Sequence, residues 1–109
     1  MTRAIILLKF YKTILDFAHW NNKGYADHLL YDRLRKEIDD VLDSCVEKFL
    51  AFTEEVSFND FKDKSIELMK SYEGYQKQDI LEFANYCYEE IDDNDIRDML
   101  KKHIYLLKK

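Results

Sequence analysis

The sequence contains no proline and only two glycines, Gly24 and Gly74, among its 109 residues. Sheet proteins need many tight turns, and tight turns draw heavily on these two residue types. Their scarcity therefore argues against a sheet fold and favours long helices. Cysteine is also scarce: Cys45 and Cys87 are the only two, and they do not form a CxxC motif. Both fall on apolar helical stripes, so we expect buried free thiols, as in an intracellular protein.

Long uninterrupted apolar runs and a positive net charge are missing as well. The apolar segment AIILLKFYKTILDF is interrupted by Lys9, Lys12 and Asp16, so we predict neither a transmembrane helix nor a signal peptide. The formal net charge is −5, whereas a general nucleic-acid-binding protein would be basic. We therefore expect weak or no nucleic-acid binding, no membrane partner and a cytoplasmic location.

Helical periodicity runs along the whole sequence. Hydrophobic residues make up 47% and charged residues 36%, a mixture that suits amphipathic helices. We predict one all-α domain spanning residues 1–109, in which four main helices form an up-down bundle. The periodicity predicts helices over 2–22, 25–52 and 95–107. It also predicts helix over 58–73 and 76–91, either as two helices or as one that is continuous through Gly74.

Short polar residues mark the ends of several predicted helices. Gly24 is expected to end the first helix in the left-handed conformation that glycine tolerates. Ser57, followed by Asp60, has the pattern of an N-terminal cap. Asp93 or Asn94 is expected to cap the last helix.

The second predicted helix carries a set of candidate metal ligands. At 100° per residue they share one face, roughly 150° from the apolar stripe of the same helix. The stripe consists of Leu30, Leu34, Ile38, Val41, Cys45 and Phe49. The candidate ligands are His28, Asp32, Asp43 and Glu47. Imidazole and carboxylate ligands suit iron, manganese or zinc. His19, at the end of the first helix, would complete the set. An ordinary solvent-exposed acidic helix face would contain the same residues. The third histidine, His103, is predicted to be a packed or surface histidine.

The candidate ligands form two pairs that cannot bind one ion within a single chain. The pair His28 and Asp32 lies 15 residues before the pair Asp43 and Glu47, which is about 22 Å along a helix. A second, antiparallel copy of this helix would bring the pairs together. Its two-fold axis would pass near residues 37–38 and would create two equivalent sites in a homodimer.

One family resemblance bears on this geometry. The run LLKFYKTILDFAHWNNKGYADH is followed by an acid four residues after its last histidine, and then by an Asp and a Glu one turn apart. This pattern resembles the mini-ferritins known as DNA-binding protein from starved cells, or Dps. It is closer to the short Dps-like proteins of phages and large DNA viruses, which share an HW-x-x-K-x-(Y/F)-A-x-H run. The final DDNDIRDMLKKHIYLLKK is similar to the closing helix of the family.

The resemblance implies a ferritin-like four-helix bundle with an iron oxidation site shared across a dimer two-fold axis. One subunit would supply His19, His28 and Asp32, and the other Asp43 and Glu47. The family's tryptophan is thought to intercept oxidising equivalents, and the matching residue here is Trp20. It equally fits a plain core or interface aromatic.

The implied function is Fe(II) binding and oxidation by peroxide or dioxygen, a ferroxidase activity that serves iron sequestration and oxidative protection. Iron is the expected metal, as a di-iron centre in its fullest form, with zinc or manganese as alternatives. The expected assembly is a homo-oligomer, a dimer at least, and the resemblance extends this to a dodecamer. If the protein is viral, the host-cell cytoplasm is its location.

Several features depart from the family and leave other functions open. The turn between the two histidines is shorter than in ordinary Dps, the lysine-rich tail is missing, and no Glu-x-x-His pair occurs. One alternative is a non-catalytic helical dimer, such as a viral accessory or interaction protein, with a partial or structural metal site. Another is a zinc-stabilised dimer with no redox role.

Overall fold

The structure is a computed structural model that describes residues 2–52 and 55–109. These residues form five α-helices, and no strand occurs among them. The helices are α1 (Thr2–Asn21), α2 (Tyr25–Leu50), α3 (Phe58–Ser71), α4 (Lys77–Glu90) and α5 (Asn94–Leu107). The predicted all-α class is therefore confirmed. None of the described helices combines the length and the apolar character that crossing a bilayer would require.

Helix α1 lies at the centre of the fold. It packs against α2, α3 and α4, while α5 packs on α4. Four consecutive residues of α1, Ile5 to Leu8, are buried. Consecutive residues point to different sides of a helix, so α1 is covered on several sides, as expected of a helix that is apolar almost all round.

Helix α2 is amphipathic and buries one flank. Its buried residues are Tyr31, Leu34, Ile38, Leu42 and Cys45. The predicted stripe also included Leu30, Val41 and Phe49, which are only partly buried. The stripe is rotated toward α1, because α1 covers the flank that carries Tyr31 and Leu42. Cys45 and Cys87 are buried free thiols, as predicted.

The two glycines both separate helices, but neither has a positive φ. Gly24 precedes α2 with φ −75°, so the predicted left-handed stop is wrong. The turn is held instead by the Asn22 side chain, whose Oδ1 accepts a hydrogen bond from the Gly24 N–H at 2.7 Å. The chain leaves the helical path at Tyr72, where φ is −123° and ψ is 87°, and α4 begins only at Lys77, so 58–91 is two helices and not one continuous helix.

The predicted N-terminal caps are present. Ser57 Oγ accepts a hydrogen bond from the Asp60 N–H at 3.2 Å. Asp93, and not Asn94, caps α5, because its Oδ1 accepts from the Ile96 N–H at 3.0 Å. Each bond satisfies one backbone donor that a helix start leaves without an intrahelical partner.

Candidate metal centre

Two histidines face each other across the turn between α1 and α2. The rings of His19 and His28 stack with centroids 3.9 Å apart and planes 24° apart. His19 Nδ1 lies 3.1 Å from the carbonyl oxygen of His28, and His28 Nδ1 lies 2.8 Å from the carbonyl oxygen of His19. A carbonyl oxygen only accepts hydrogen bonds, so each Nδ1 must carry a proton. In each neutral ring, the nitrogen with a free lone pair is therefore Nε2.

These cross-bonds follow from where the two histidines lie in their helices. His19 is in the last turn of α1, whose final carbonyls have no partner within the helix. The His28 ring satisfies one of them. The histidine pair thus fastens the helix ends together and fixes the tautomer of both rings, as hydrogen bonds to the remote nitrogen do for metal-binding histidines.

Asp32 lies next to this pair. Its Oδ1 is 3.7 Å from His19 Nε2. A lone-pair nitrogen and a carboxylate oxygen repel each other unless a cation, either a proton or a metal ion, lies between them. Ligands around one tetrahedral ion at bond lengths of about 2.1 Å are about 3.4 Å apart. A movement of a few tenths of an ångström would therefore let both atoms bind one ion.

Two cations already hold the Asp32 carboxylate. Lys36 Nζ lies 2.8 Å from Oδ2, and the Arg35 guanidinium lies 2.9 Å from Oδ1. Hydrogen bonds from Lys36 and Arg35 lower the pKa of Asp32 to about 2. The carboxylate is thus ionised at neutral pH, but a metal ion would compete with these two side chains for it.

The structure adds Asp16 to this cluster, a residue that we read in the sequence only as an interruption of an apolar run. Its carboxylate binds Arg35 at 3.2 Å and Lys12 at 3.0 Å. The i, i+4 spacing of Lys12 and Asp16 was the available signal. The ion pairs link α1 to α2 and hold Arg35 beside Asp32.

The other predicted ligands lie far from the histidines. Asp43 and Glu47 are exposed on α2. Because α2 is unbroken, Asp43 is about 16 Å along the helix from Asp32. Within one chain, no group of three or more His, Cys, Asp or Glu residues among 2–52 and 55–109 is placed to hold a metal ion. The structure therefore brings His19 beside both His28 and Asp32 but leaves the second carboxylate pair apart.

The surroundings of the centre bear on the expectations for Trp20 and for the level of the two-fold axis. Trp20 is 63% exposed and touches Phe17, with ring centroids 5.3 Å apart, so it is not a core aromatic. Ile38 is fully buried, and Glu37 turns toward α5. A two-fold axis at this level of α2 would therefore pass by the exposed neighbours Lys36 and Asp39.

A second polar cluster, not anticipated from the sequence, lies in the core. His103 is fully buried, as a packed histidine would be. Its Nδ1 lies 3.0 Å from the Tyr11 hydroxyl, and its Nε2 lies 2.9 Å from Glu37 Oε2. Lys102 Nζ donates to the other Glu37 oxygen at 3.1 Å. An ionised carboxylate only accepts, so Nε2 carries the His103 proton and Tyr11 donates to Nδ1. Both ring nitrogens are satisfied, which leaves neither for a metal ion.

Taken together, the fold and this centre define an all-helical protein with an imidazole–carboxylate cluster at the turn between its first two helices. Comparisons with protein-family models, curated proteins and solved structures found no match to the chain.

Proposed function

We propose that this protein is a Dps-like mini-ferritin that binds Fe(II) and oxidises it at a site shared by two copies of the chain. The role would be iron sequestration and oxidative protection. The observation that carries the proposal is the stacked histidine pair. Both Nδ1 atoms donate to carbonyl oxygens, which leaves a lone pair on each Nε2 of the neutral rings. His19 Nε2 lies 3.7 Å from the ionised Asp32 carboxylate.

The helix arrangement supports a ferritin-like four-helix bundle. Its four helices would be α1, α2, α4 and α5, with α3 as a short addition between the second and the third. Helix α1 packs on α2 and on α4, and α5 packs on α4. Lys102 and His103 on α5 reach Glu37 on α2, which closes the circuit of four.

In the proposed site, each chain contributes a different half. His19, His28 and Asp32 would bind Fe(II) from one copy, and Asp43 and Glu47 from its partner. Nitrogen and oxygen ligands suit Fe(II), and the carboxylates favour the harder Fe(III) product. Two Fe(II) ions would each give one electron to a peroxide, whose O–O bond breaks and which leaves as two water molecules after taking up two protons.

Binding would require Asp32 to exchange its present partner for iron. Lys36 is 70% exposed, and an exposed ion pair contributes little to stability. Its long side chain can therefore leave the carboxylate at small cost. The Arg35 guanidinium is held by Asp16 as well, so it would remain near the site and balance the carboxylate charge.

The ion pairs of Asp32 also favour a second candidate function, a non-catalytic helical dimer. A carboxylate already neutralised by Arg35 and Lys36 has less need of a metal ion. In this case the histidine pair would serve only to join α1 to α2. In one form of this candidate, a structural zinc ion stabilises the dimer and has no redox role. Metal analysis of protein purified without added metal would detect the zinc.

Anaerobic calorimetric titration with Fe(II), followed by peroxide addition under absorbance detection, tests the proposed function. We expect saturable binding and then the absorbance of ferric iron. Glu47→Gln should lower the affinity most, because Glu47 can bridge two ions, with Asp32→Asn and His28→Ala following. Loss of a residue that supports a ligand typically lowers metal affinity by roughly 10–100-fold. Loss of a direct ligand should lower it by at least as much.

Asp98→Asn, an exposed acid on α5, is the matched control and should bind iron as the parent does. His19→Ala should show the most variable effect, since its position depends on the short turn through Gly24. An unchanged Fe(II) affinity in Glu47→Gln would show that the acidic residues of α2 are ordinary solvent-exposed side chains, and it would contradict the proposal.

A further inference from the structure

The buried network of Tyr11, His103 and Glu37 places a base in contact with a phenol. Tyr11 is fully buried, and its hydroxyl lies 3.0 Å from His103 Nδ1. That nitrogen carries the lone pair of the neutral ring, because Nε2 donates its proton to Glu37. The phenol O–H therefore points at a base that can accept its proton, which is the geometry that proton transfer requires.

This geometry makes Tyr11 easier to oxidise by one electron. A phenol that loses an electron becomes a radical cation, and a buried charge without a partner is costly. Burial also raises the pKa of Tyr11 well above its ordinary value, so the proton does not leave before the electron. The base solves both problems, because the proton moves to His103 Nδ1 as the electron departs and the phenol becomes a neutral tyrosyl radical.

Glu37 balances the charge that the proton brings to His103. The carboxylate oxygen lies 2.9 Å from Nε2 of the ring. Although burial raises the pKa of Glu37, the hydrogen bonds and charges of His103 and Lys102 bring it below its ordinary value, so the carboxylate is ionised at neutral pH. Proton transfer therefore creates an imidazolium beside an anion, and this attraction is strong where water is largely excluded.

A row of aromatic rings connects Tyr11 with the protein surface. Its ring centroid lies 6.1 Å from that of Phe83. The Phe83 centroid in turn lies 4.9 Å from Tyr72 and 5.9 Å from Tyr86. Tyr72 and Tyr86 are partly exposed. An electron from Tyr11 thus crosses only two ring contacts to reach a tyrosine that a dissolved oxidant can touch.

The network also decides where an oxidising equivalent comes to rest. Among the described residues, Tyr11 is the one tyrosine whose hydroxyl is hydrogen-bonded to a histidine. The Tyr86 hydroxyl instead accepts a hydrogen bond from Arg3 at 3.1 Å, and the positive charge of Arg3 opposes loss of an electron from that ring. An oxidising equivalent that enters at the surface is therefore driven inward to Tyr11.

We propose that Tyr11 is a reversible one-electron redox centre, which becomes a neutral radical when a one-electron oxidant reacts at Tyr72 or Tyr86. One electron passes to the oxidant, the O–H bond of Tyr11 breaks, and an N–H bond forms at His103 Nδ1. The oxidants that fit are radicals formed from peroxide, such as the carbonate radical. A one-electron reductant such as ascorbate returns the electron, and the proton moves back from His103 to the phenoxyl oxygen.

The inference goes beyond the proposed function and does not depend on it, because neither iron nor a second copy of the chain takes part. It can therefore be tested on the metal-free protein. A protein that binds no Fe(II) but forms the Tyr11 radical would contradict the proposed function alone.

Electron paramagnetic resonance of freeze-quenched samples tests the centre. The oxidant is tris(bipyridine)ruthenium(III), generated by light, and ring-deuterated tyrosine in the protein identifies the radical as tyrosyl. The parent should hold a long-lived tyrosyl radical that ascorbate removes. Tyr11→Phe should lose this signal and form dityrosine cross-links through its exposed tyrosines instead. Tyr105→Phe, which changes a side chain that is 61% exposed, is the control and should keep the signal.

The rate of radical formation, followed by transient absorbance, tests the proton acceptor. His103→Leu removes the base and should slow formation of the Tyr11 radical on the order of 100-fold, the lower end of what a positioned base contributes. Glu37→Gln keeps the shape of the side chain and an oxygen that accepts from Nε2, but it removes the balancing charge and should slow the step by less. Glu67→Gln, an exposed acid on α3, is the matched control and should keep the parent's rate.

Solvent isotope substitution separates this role from a structural one. In the parent, D2O should slow radical formation, because the proton moves with the electron. In His103→Leu this effect should be lost together with the fast phase. Thermal melts establish that each variant is folded, and Glu37→Gln decides the test if Tyr11→Phe or His103→Leu is not.

Three results would overturn the proposal. The first is a parent that gives no long-lived tyrosyl radical, and the second is a radical that persists unchanged in folded Tyr11→Phe. The third is a rate in Glu37→Gln equal to that of the parent, with no isotope effect in either protein. That result would show that the network of Tyr11, His103 and Glu37 serves only to hold the helices together.

Discussion

His103 has no exposed surface, yet each of its ring nitrogens has a hydrogen-bond partner. A buried polar group without a partner is costly, whereas a fully satisfied network is rigid and specific. Burial raises the pKa of Tyr11 well above its ordinary value, so its hydroxyl remains a donor to His103. The network joins α1, α2 and α5 through three side chains that lie far apart in the sequence.

We expect Tyr11→Phe to destabilise the protein by about 1–3 kcal/mol, because it leaves the lone pair of His103 Nδ1 buried without a donor. The measurement is urea unfolding followed by circular dichroism. Tyr105→Phe removes a hydroxyl from a side chain that is 61% exposed and should change the free energy of unfolding by less than about 0.5 kcal/mol. The double variant Tyr11→Phe/His103→Leu should lose less free energy of unfolding than the sum of the losses in the two single variants. Strict additivity would show that Tyr11 and His103 do not interact.

The same network should make the protein less stable in acid. Burial lowers the pKa of His103 below its ordinary value of 6.5, although the hydrogen bond that His103 donates to Glu37 acts in the opposite direction and raises it. Burial raises the pKa of Glu37, but the hydrogen bonds and charges of His103 and Lys102 outweigh it and bring that pKa below 4.5. Both groups therefore bind protons more readily in the unfolded chain. Their contribution is complete above pH 6.5, begins to fall below it at His103, and falls further below pH 4.5 at Glu37.

We expect the free energy of unfolding to decline from pH 7.5 to pH 5, and to decline less in His103→Leu than in the parent. Urea unfolding at several pH values measures both slopes. Tyr105→Phe should keep the parent's slope. Parallel pH profiles for His103→Leu and the parent would show that His103 is as easily protonated in the folded protein as in the unfolded chain.

At the scale of helices, Gly74 lies in the break between α3 and α4. A glycine suits this position because it leaves space for a neighbouring side chain, and not because of its backbone conformation. Neither glycine has a positive φ, but a Cβ on Gly74 would overlap the Asp79 carboxylate. That carboxylate accepts a hydrogen bond from the Gln76 N–H at 3.0 Å, as one half of a capping box at the start of α4. The absent side chain thus makes room for the helix cap.

Gly74→Ala should therefore destabilise the protein by about 0.5–2 kcal/mol, the range for loss of a helix cap. Thermal unfolding of the single variants and of Gly74→Ala/Asp79→Ala measures the effect. Once Asp79 is gone the added methyl group has room, so Gly74→Ala should cost little in that background. The single variant Asp79→Ala is the control, because it removes the capping carboxylate without adding a methyl group at residue 74. If Gly74→Ala is equally costly with and without Asp79, the crowding explanation is wrong.

At the scale of the whole molecule, charge decides which partners are excluded. The formal net charge is −5, and the exposed charged residues of α2 include more acids than bases. Neutralisation of phosphates by lysine and arginine supplies most of the affinity of nonspecific DNA binding. A protein with a negative net charge has little of this driving force.

We expect no mobility shift of linear DNA at physiological salt and at most a weak shift at low salt. The assay should use protein at micromolar concentrations, so that any assembly of the chain is included. Its salt dependence is an internal control, since any weak binding should fall steeply as salt rises. Tight binding at physiological salt would show that assembly gathers basic residues into a patch.

Much of this protein could be predicted from the sequence because helix formation depends on local information. The apolar period, the sparing use of glycine and the caps at Ser57 and Asp93 act within a few residues of the chain. They were sufficient for the all-α class, for most helix ends and for the burial of both cysteines. The identity of the candidate ligands also followed from local spacing on α2.

Only the tertiary structure decided which polar atoms meet. The crossed bonds of His19 and His28, the Arg35 bridge between Asp16 and Asp32, and the buried pairing of Tyr11 with His103 all join different helices. Such contacts depend on how each helix is rotated about its axis and which flank its neighbour covers. The helical period predicts which residues share a stripe, but it does not fix which flank of that stripe a neighbouring helix covers. A change of one residue at the edge of the stripe already corresponds to a rotation of 100°. The sequence therefore determined the helices and the chemistry they carry, and packing around α1 determined which of those groups are brought together.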